Sequence, residues 1–234
     1  MRRFWITLNI LYEKIMLFVF VIALLIVCYG LYDTWYVYNK AGDDGYLKYK
    51  PRAGSGMSED APITEDMVAW ITIDGTNIDY PVMQAADNMK YLNLNPYGEY
   101  SLSGSIFLDS RNSADFSDDY SILYGHHMEY GVMFGALDEF LDEKYMKNHS
   151  KGTLIVGRDG SVSYELGVFA CMKVNEYDKK MLDPDSLENI SALISEEASV
   201  INTSIKNSDH IMVLSTCTEP VSTNRLLVFC YIYE

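Results

Sequence analysis

The chain has 234 residues, 49% of them hydrophobic, which is enough for one filled core and an appendage and too apolar for a disordered tail. Its formal net charge is −15, and the imbalance deepens along the chain: the first 32 residues hold three of the 18 basic and one of the 33 acidic side chains, leaving 15 against 32. A surface so acidic repels phosphate backbones, which argues against nucleic acid as a partner.

Residues 15–32, "IMLFVFVIALLIVCYGLY", carry no charged group. At 1.5 Å per residue they make a helix of about 27 Å, close to the thickness of a hydrocarbon core. Arg2, Arg3 and Lys14 precede the run; Asp33, Asp43 and Asp44 follow it, with Lys40 among them. The basic side is expected to stay inside and the rest to be exported. The alternative is a cleaved signal peptide, but the run is long for one, no A-x-A cleavage site follows, and Tyr29, Tyr32, Trp35 and Tyr36 form an interfacial belt. The expected division is a cytoplasmic N-terminus at 1–14, a single-pass membrane anchor at 15–32, an extracellular stalk at 33–61 and a folded domain at 62–234. Within the stalk, Tyr32 to Lys40 allows a short helix and "RAGSG" has a flexible-linker composition.

From Ile63 the pattern changes. "VAWITIDGTNIDYPVMQ" reads as two short strands around an Asp-Gly turn, with Pro81 ending or edging the second. Further strand-like runs follow at 104–109, 120–125, 152–157, 163–174, 210–216 and 225–233. Two helices are expected between them: 133–146, with Phe134, Leu137, Phe140 and Leu141 on one face, and 184–205, with Leu187, Ile190, Leu193, Ile194, Ile201 and Ile205 at broadly helical intervals. Strands dominate without regular helical alternation, so the predicted fold is mainly β: a closed or nearly closed barrel of seven or eight strands with inserted helices, plus the N-terminal membrane helix.

Four cysteines are present. Cys28 lies in the membrane run, and Cys171 and Cys230 sit inside apolar strand-like stretches, where an unpaired thiol is a small core residue. Cys217 differs, standing among Ser215, Thr216, Thr218 and Glu219 in "LSTCTEPVSTNR". Alone, a strand-end cysteine is by default buried packing and Arg225 a surface cation. Together, adjacent strands at 210–216 and 225–233 would bring Cys217 and Arg225 to the same end of the sheet. A nucleophilic thiol also needs a base. His149 reads as a solvated loop residue and His210 as a strand-start residue, whereas His126 and His127 end an apolar strand just after Gly125. Only one of two consecutive residues on an extended segment faces the thiol. No third and fourth ligand accompany "GHH", and "SDD" at 117–119 reads as a solvated loop, so no functional metal is expected.

The motif L-x-T-C at a strand end (Leu214, Ser215, Thr216, Cys217), an arginine downstream (Arg225) and an upstream "YGH" (Tyr124, Gly125, His126) resembles the signature of sortases, membrane-anchored cysteine transpeptidases of Gram-positive bacteria. "YGHHM" followed by "MFGALDEF", "SGSIFLD" after "YLNLN", and a long helix before the final Cys-bearing strand resemble class B. The resemblance spans about residues 63–234. It implies Cys217 as nucleophile, His126 as general acid and base, and Arg225 as the group that holds the substrate backbone and stabilises the oxyanion. It also implies that Asn88, Leu92, Ser215 and Thr216 bind the peptide. The expected partners are a C-terminal sorting signal, NPxTN-like or xPxTG-like, and an amine from lipid II or peptidoglycan, with no cofactor. Two other readings stay open: a cysteine peptidase using water as acceptor, and a non-catalytic anchored binding module with a structural Cys217.

Overall fold

The computed structural model describes residues 1–41, 44–175, 177, 180–184, 190–204, 208–217 and 223–233; at 37–41, 44 and 217 the description is of the backbone. The chain divides into two compact units, Met1–Lys40 and Ala41–Glu234.

The first unit is helical. Helix α1 runs from Arg2 to Ala41, well beyond the expected run on both sides. Nothing in it breaks a helix: it has no proline, and Gly30 is its only glycine. The stretch Arg2–Tyr36 is long and apolar enough to cross a membrane, with a mean hydropathy of 2.8 over its best window and none of that window buried.

The second unit is a barrel. Strands β1 (Met67–Ile73), β2 (Asp79–Met83), β3 (Ile106–Leu108), β4 (Tyr120–Tyr124), β5 (Lys151–Val156), β6 (Val162–Asn175), β7 (Val200–Ile201), β8 (Ile211–Cys217) and β9 (Asn224–Tyr233) follow in chain order. They line up as β5-β1-β2-β3-β4-β8-β9-β6, and β6 pairs back onto β5, closing eight strands, with β7 added outside on β6. Pairings are antiparallel except β2 with β3 and β4 with β8. Pro81 lies inside β2, opposite Trp70, one residue before the pairing with β3 begins at Val82. Its missing N–H therefore falls where β2 has no second partner.

Side chains alternate between two faces, as a pleated strand requires. Met212 and Leu214 of β8, with Leu226, Val228 and Cys230 of β9, join Trp70, Ile71, Phe134 and Phe140 in the main core. Ile211 and Val213, with Leu227 and Phe229, belong to a second cluster under Ile190 and Ile194 of α3 (Ile190–Glu197). Each fully buried aliphatic or aromatic side chain contributes about 1.5–3 kcal/mol.

Two helix expectations are corrected. The single helix expected at 133–146 is two pieces, a 3-10 helix Phe134–Leu141 and α2 (Glu143–Asn148). Asp142 separates them because its side chain accepts the Tyr145 N–H at 2.7 Å, capping a new helix. Among the described residues the long helix expected at 184–205 is α3, followed by β7, where the β-branched pair Val200 and Ile201 joins Cys171 and Ala170; Leu187 and Ile205 lie outside the described residues. Within the segment expected as a stalk, 33–61, the chain has defined structure from residue 44 onward. Asp44–Tyr49 is a 3-10 helix whose Tyr46 packs against the rings of Trp70 and Tyr80. Lys50 Nζ donates to Asp79 at 2.8 Å, and the N–H of Gly54 donates to Gly160 O at 2.8 Å. Glycine-rich composition marks a tight turn as readily as a tether; the "RAGSG" segment closes on itself through Arg52 and Gly56.

Candidate active site

One end of the β4–β8–β9 segment gathers the sequence-selected residues. Tyr124 is opposite Ser215 in the parallel β4–β8 pair, and the Gly125 N–H continues the ladder by donating to Ser215 O at 3.1 Å. One residue further on each strand come His126 and Cys217, counted from Gly125 and Thr216. Across the antiparallel pair, Cys217 is directly opposite Arg225. The backbone thus brings the three positions to a common edge.

Gly125 makes this approach possible. A Cβ there would fall 2.5 Å from Ile106 Cδ1 and 2.7 Å from Phe134 Cδ2, so only glycine lets β4 turn over the Phe134 ring. The turn is held by the Phe134 N–H, which donates to His126 O at 3.1 Å.

The two histidines go separate ways, as alternation requires. His126 Nε2 donates to the Leu92 carbonyl at 2.8 Å; a carbonyl only accepts, so Nε2 carries the proton and Nδ1 remains for exchange. His127 Nε2 bonds Asp138 Oδ2 at 2.8 Å. It borders a cleft of about 550 Å³ lined by Asn77, Glu129 and Tyr145 among others. His149 stacks on Tyr145 and bonds its carbonyl, and His210 bonds Asp118 O.

The expected peptide-binding residues fall into two groups. Asn88 and Leu92 are half-buried on the segment facing the end of β4. Ser215 and Thr216 are 1% and 0% exposed, and their hydroxyls have no hydrogen-bond partner among the described residues. Buried unpaired hydroxyls in this position are groups for which a ligand or a strand shift would supply a partner.

Asp109 is the group that the sequence reading missed. It is fully buried and accepts on both carboxylate oxygens from Arg111, on Oδ1 from Nε and on Oδ2 from Nη2, each at 3.0 Å. Asn88 Nδ2 adds a bond at 3.0 Å and the Tyr124 hydroxyl one at 3.1 Å. Burial pushes the carboxyl up, but the bonds and charge of Arg111 outweigh it and hold Asp109 below its ordinary value. The Tyr124 phenol is pushed up by burial and by Asp109, and the positive charges of Arg111 and then Arg225 pull it the other way. The signal was present in "FLDSRN", an acid and a base two residues apart at a strand end.

Cys171 and Cys230 are fully buried, and burial pushes each thiol up to about 12, which leaves them inert at neutral pH. Among the described residues no cluster of three or more metal-ligating side chains occurs.

The Sortase domain family model matches residues 71–232. Sortase B of Staphylococcus aureus (strain NCTC 8325 / PS 47) is 34% identical over 180 residues, 74% of this chain and 72% of that protein. A Streptococcus pyogenes class B sortase involved in pilus biogenesis has a similar structure, with a TM-score of 0.65 and 32% identity over 73% of this chain and 94% of that one. The Staphylococcus aureus sortase B–substrate complex gives a TM-score of 0.64 and 30% identity over 74% and 82%. Sequence and barrel agree, and the chain belongs to the sortase family of cysteine transpeptidases, in class B.

Proposed function

We propose that this sortase cleaves a C-terminal sorting signal after threonine and transfers the exported protein to a cell-wall amine. The observation that carries the reading is the backbone register that sets Cys217 opposite Arg225 and the end of β8 beside Gly125 and His126.

In the proposed cycle the Cys217 thiolate adds to the threonine carbonyl carbon, and Arg225 balances the charge that develops on the oxygen. The C–N bond then breaks with the electron pair leaving on nitrogen, and His126 gives that nitrogen a proton. The product is a thioester. An amine attacks it, the new C–N bond forms as the C–S bond breaks, and His126 takes the amine's proton while Cys217 is regenerated. Acyl transfer of this kind calls for no cofactor. Asn88, Leu92, Ser215 and Thr216 are proposed to hold the peptide, and lipid II or a peptidoglycan cross-bridge to supply the amine.

Helix α1 is proposed as a single-pass anchor, with Arg2, Arg3 and Lys14 inside and the barrel outside the cell membrane. Confining enzyme, client and lipid-linked acceptor to one layer raises their effective concentration.

The test uses the full chain in detergent with quenched peptides carrying Asn-Pro-x-Thr, Leu-Pro-x-Thr or Ser-Pro-x-Thr cores, with and without triglycine, beside Cys217→Ala. Cleavage after threonine that vanishes in the variant and yields an amine-capped product supports the reading. Water-only products would move it to a hydrolase, and an unreactive, unlabelled Cys217 to a binding module.

A further inference from the structure

Arg111 makes a contact that compensation of a buried carboxylate does not require. Two of its nitrogens bond Asp109, and the third, Nη1, donates to Asp183 Oδ1 at 2.7 Å. Asp183 lies between β6 and α3, on a segment fixed at Met181, whose carbonyl accepts the Tyr120 hydroxyl at 2.8 Å. From Asp109 the connections run the other way. Asn88 Nδ2 bonds Asp109 Oδ2, Asn88 Oδ1 accepts the Ser110 N–H at 2.8 Å, and the Tyr124 hydroxyl bonds the same Oδ2.

Through Asp109, one guanidinium therefore joins the segment that carries Asn88, the strand that ends at Tyr124, two residues before His126, and the segment before α3. We propose that Arg111 is a positioning residue for the sorting peptide: it sets the separation of the Asn88 and Asp183 segments and thereby the affinity for the peptide, without touching the reacting atoms. This rests on the peptide reading given above for Asn88.

The planar fork of arginine suits this role, since it reaches both oxygens of one carboxylate and still presents a donor to another. A lysine would keep Asp109 neutralised but could not hold both partners. Asp183→Asn would leave the Asp109 pairing intact and weaken the outer arm. These two variants separate a tie between segments from simple charge compensation, for which Arg111→Lys would suffice and Asp183→Asn would be silent.

The test compares the full-length chain in detergent with Arg111→Lys, Arg111→Gln and Asp183→Asn. Backbone hydrogen exchange is read by mass spectrometry and peptide cleavage by steady-state kinetics. The expected result is faster exchange at 86–92 and 180–184 in all three variants, with unchanged exchange in β1 and β5. KM should rise about tenfold in Arg111→Lys, the scale of one charge-assisted bond, with kcat held within about twofold. Unchanged exchange in Asp183→Asn and Arg111→Lys would overturn the tie, and a fall in kcat at constant KM would overturn the positioning role. Should Arg111→Gln fail to fold, Asp183→Asn still decides. If the wild-type enzyme cleaves no peptide, the peptide reading falls and, with it, the role toward the peptide; exchange still reports separately whether Arg111 joins the two segments.

Discussion

Gly125 lies against Phe134 so closely that a single added carbon would sit 2.7 Å from the ring, and this contact fixes the point at which β4 releases His126. Gly125→Ala is therefore expected to destabilise the protein by about 1–3 kcal/mol, the usual cost of overpacking a filled core. Denaturant unfolding measures it, and an unchanged midpoint would contradict the close approach.

The adjacent histidines predict unequal consequences. His126→Ala is expected to lower kcat about 10²–10⁴-fold, as loss of a general acid and base does. His127→Ala removes a pair with a half-exposed Asp138, worth less than about 1 kcal/mol, and leaves peptide cleavage nearly intact. Equal losses from the two variants would sink the assignment.

Arg225→Lys keeps a charge opposite Cys217 but loses the planar fork, so cleavage is expected to fall at least about tenfold with no rescue by the conservative change. Steady-state kinetics on the quenched peptide decides.

Acid lowers stability through Asp109. Its folded value lies below the ordinary 3.8 because of Arg111, so between the two values the unfolded chain binds more protons than the folded one. The stabilisation is present above about pH 4 and lost as the pH falls through the folded value. Asp109→Asn should flatten the acid limb of stability against pH while lowering stability at pH 7.

The buried thiols give the opposite slope. Cys171 and Cys230 rise from 9.0 to about 12 on folding, so their contribution is full below pH 9 and lost as the pH rises through about 12. In the native protein at pH 8 both are expected to resist a thiol reagent that labels them after unfolding. Native labelling at either position would contradict the burial.

The strands were readable because β-branched and aromatic runs alternate with turn residues, and their observed bounds lie close to the expected ones. A closed or nearly closed barrel was expected, but which strands seal it, β6 on β5, was not readable, since register is decided by which faces meet in three dimensions. Helical spacing misled twice where a local signal won: the Asp142 cap cut one helix, and the Val200–Ile201 pair drew the next segment into the sheet. Within the expected stalk, Tyr46 finds an aromatic pocket between Trp70 and Tyr80 that no linear pattern announces. At the site, Cys217, His126 and Arg225 came from a motif resemblance, and the backbone brings them to one edge. Asp109 and Arg111 stayed hidden because their importance depends on burial.

The order of the strands also sets when the site can come into being. β8 and β9 come last in chain order yet occupy the middle of the sheet, between β4 and β6. Until they insert, β4 and β6 present open edges, and the position of Cys217 has neither Arg225 opposite nor His126 alongside. Long-range pairing of this kind is slow. A chain emerging N-terminus first would stay chemically silent through most of its synthesis, acquiring the proposed reactive edge in the same step that seals the barrel.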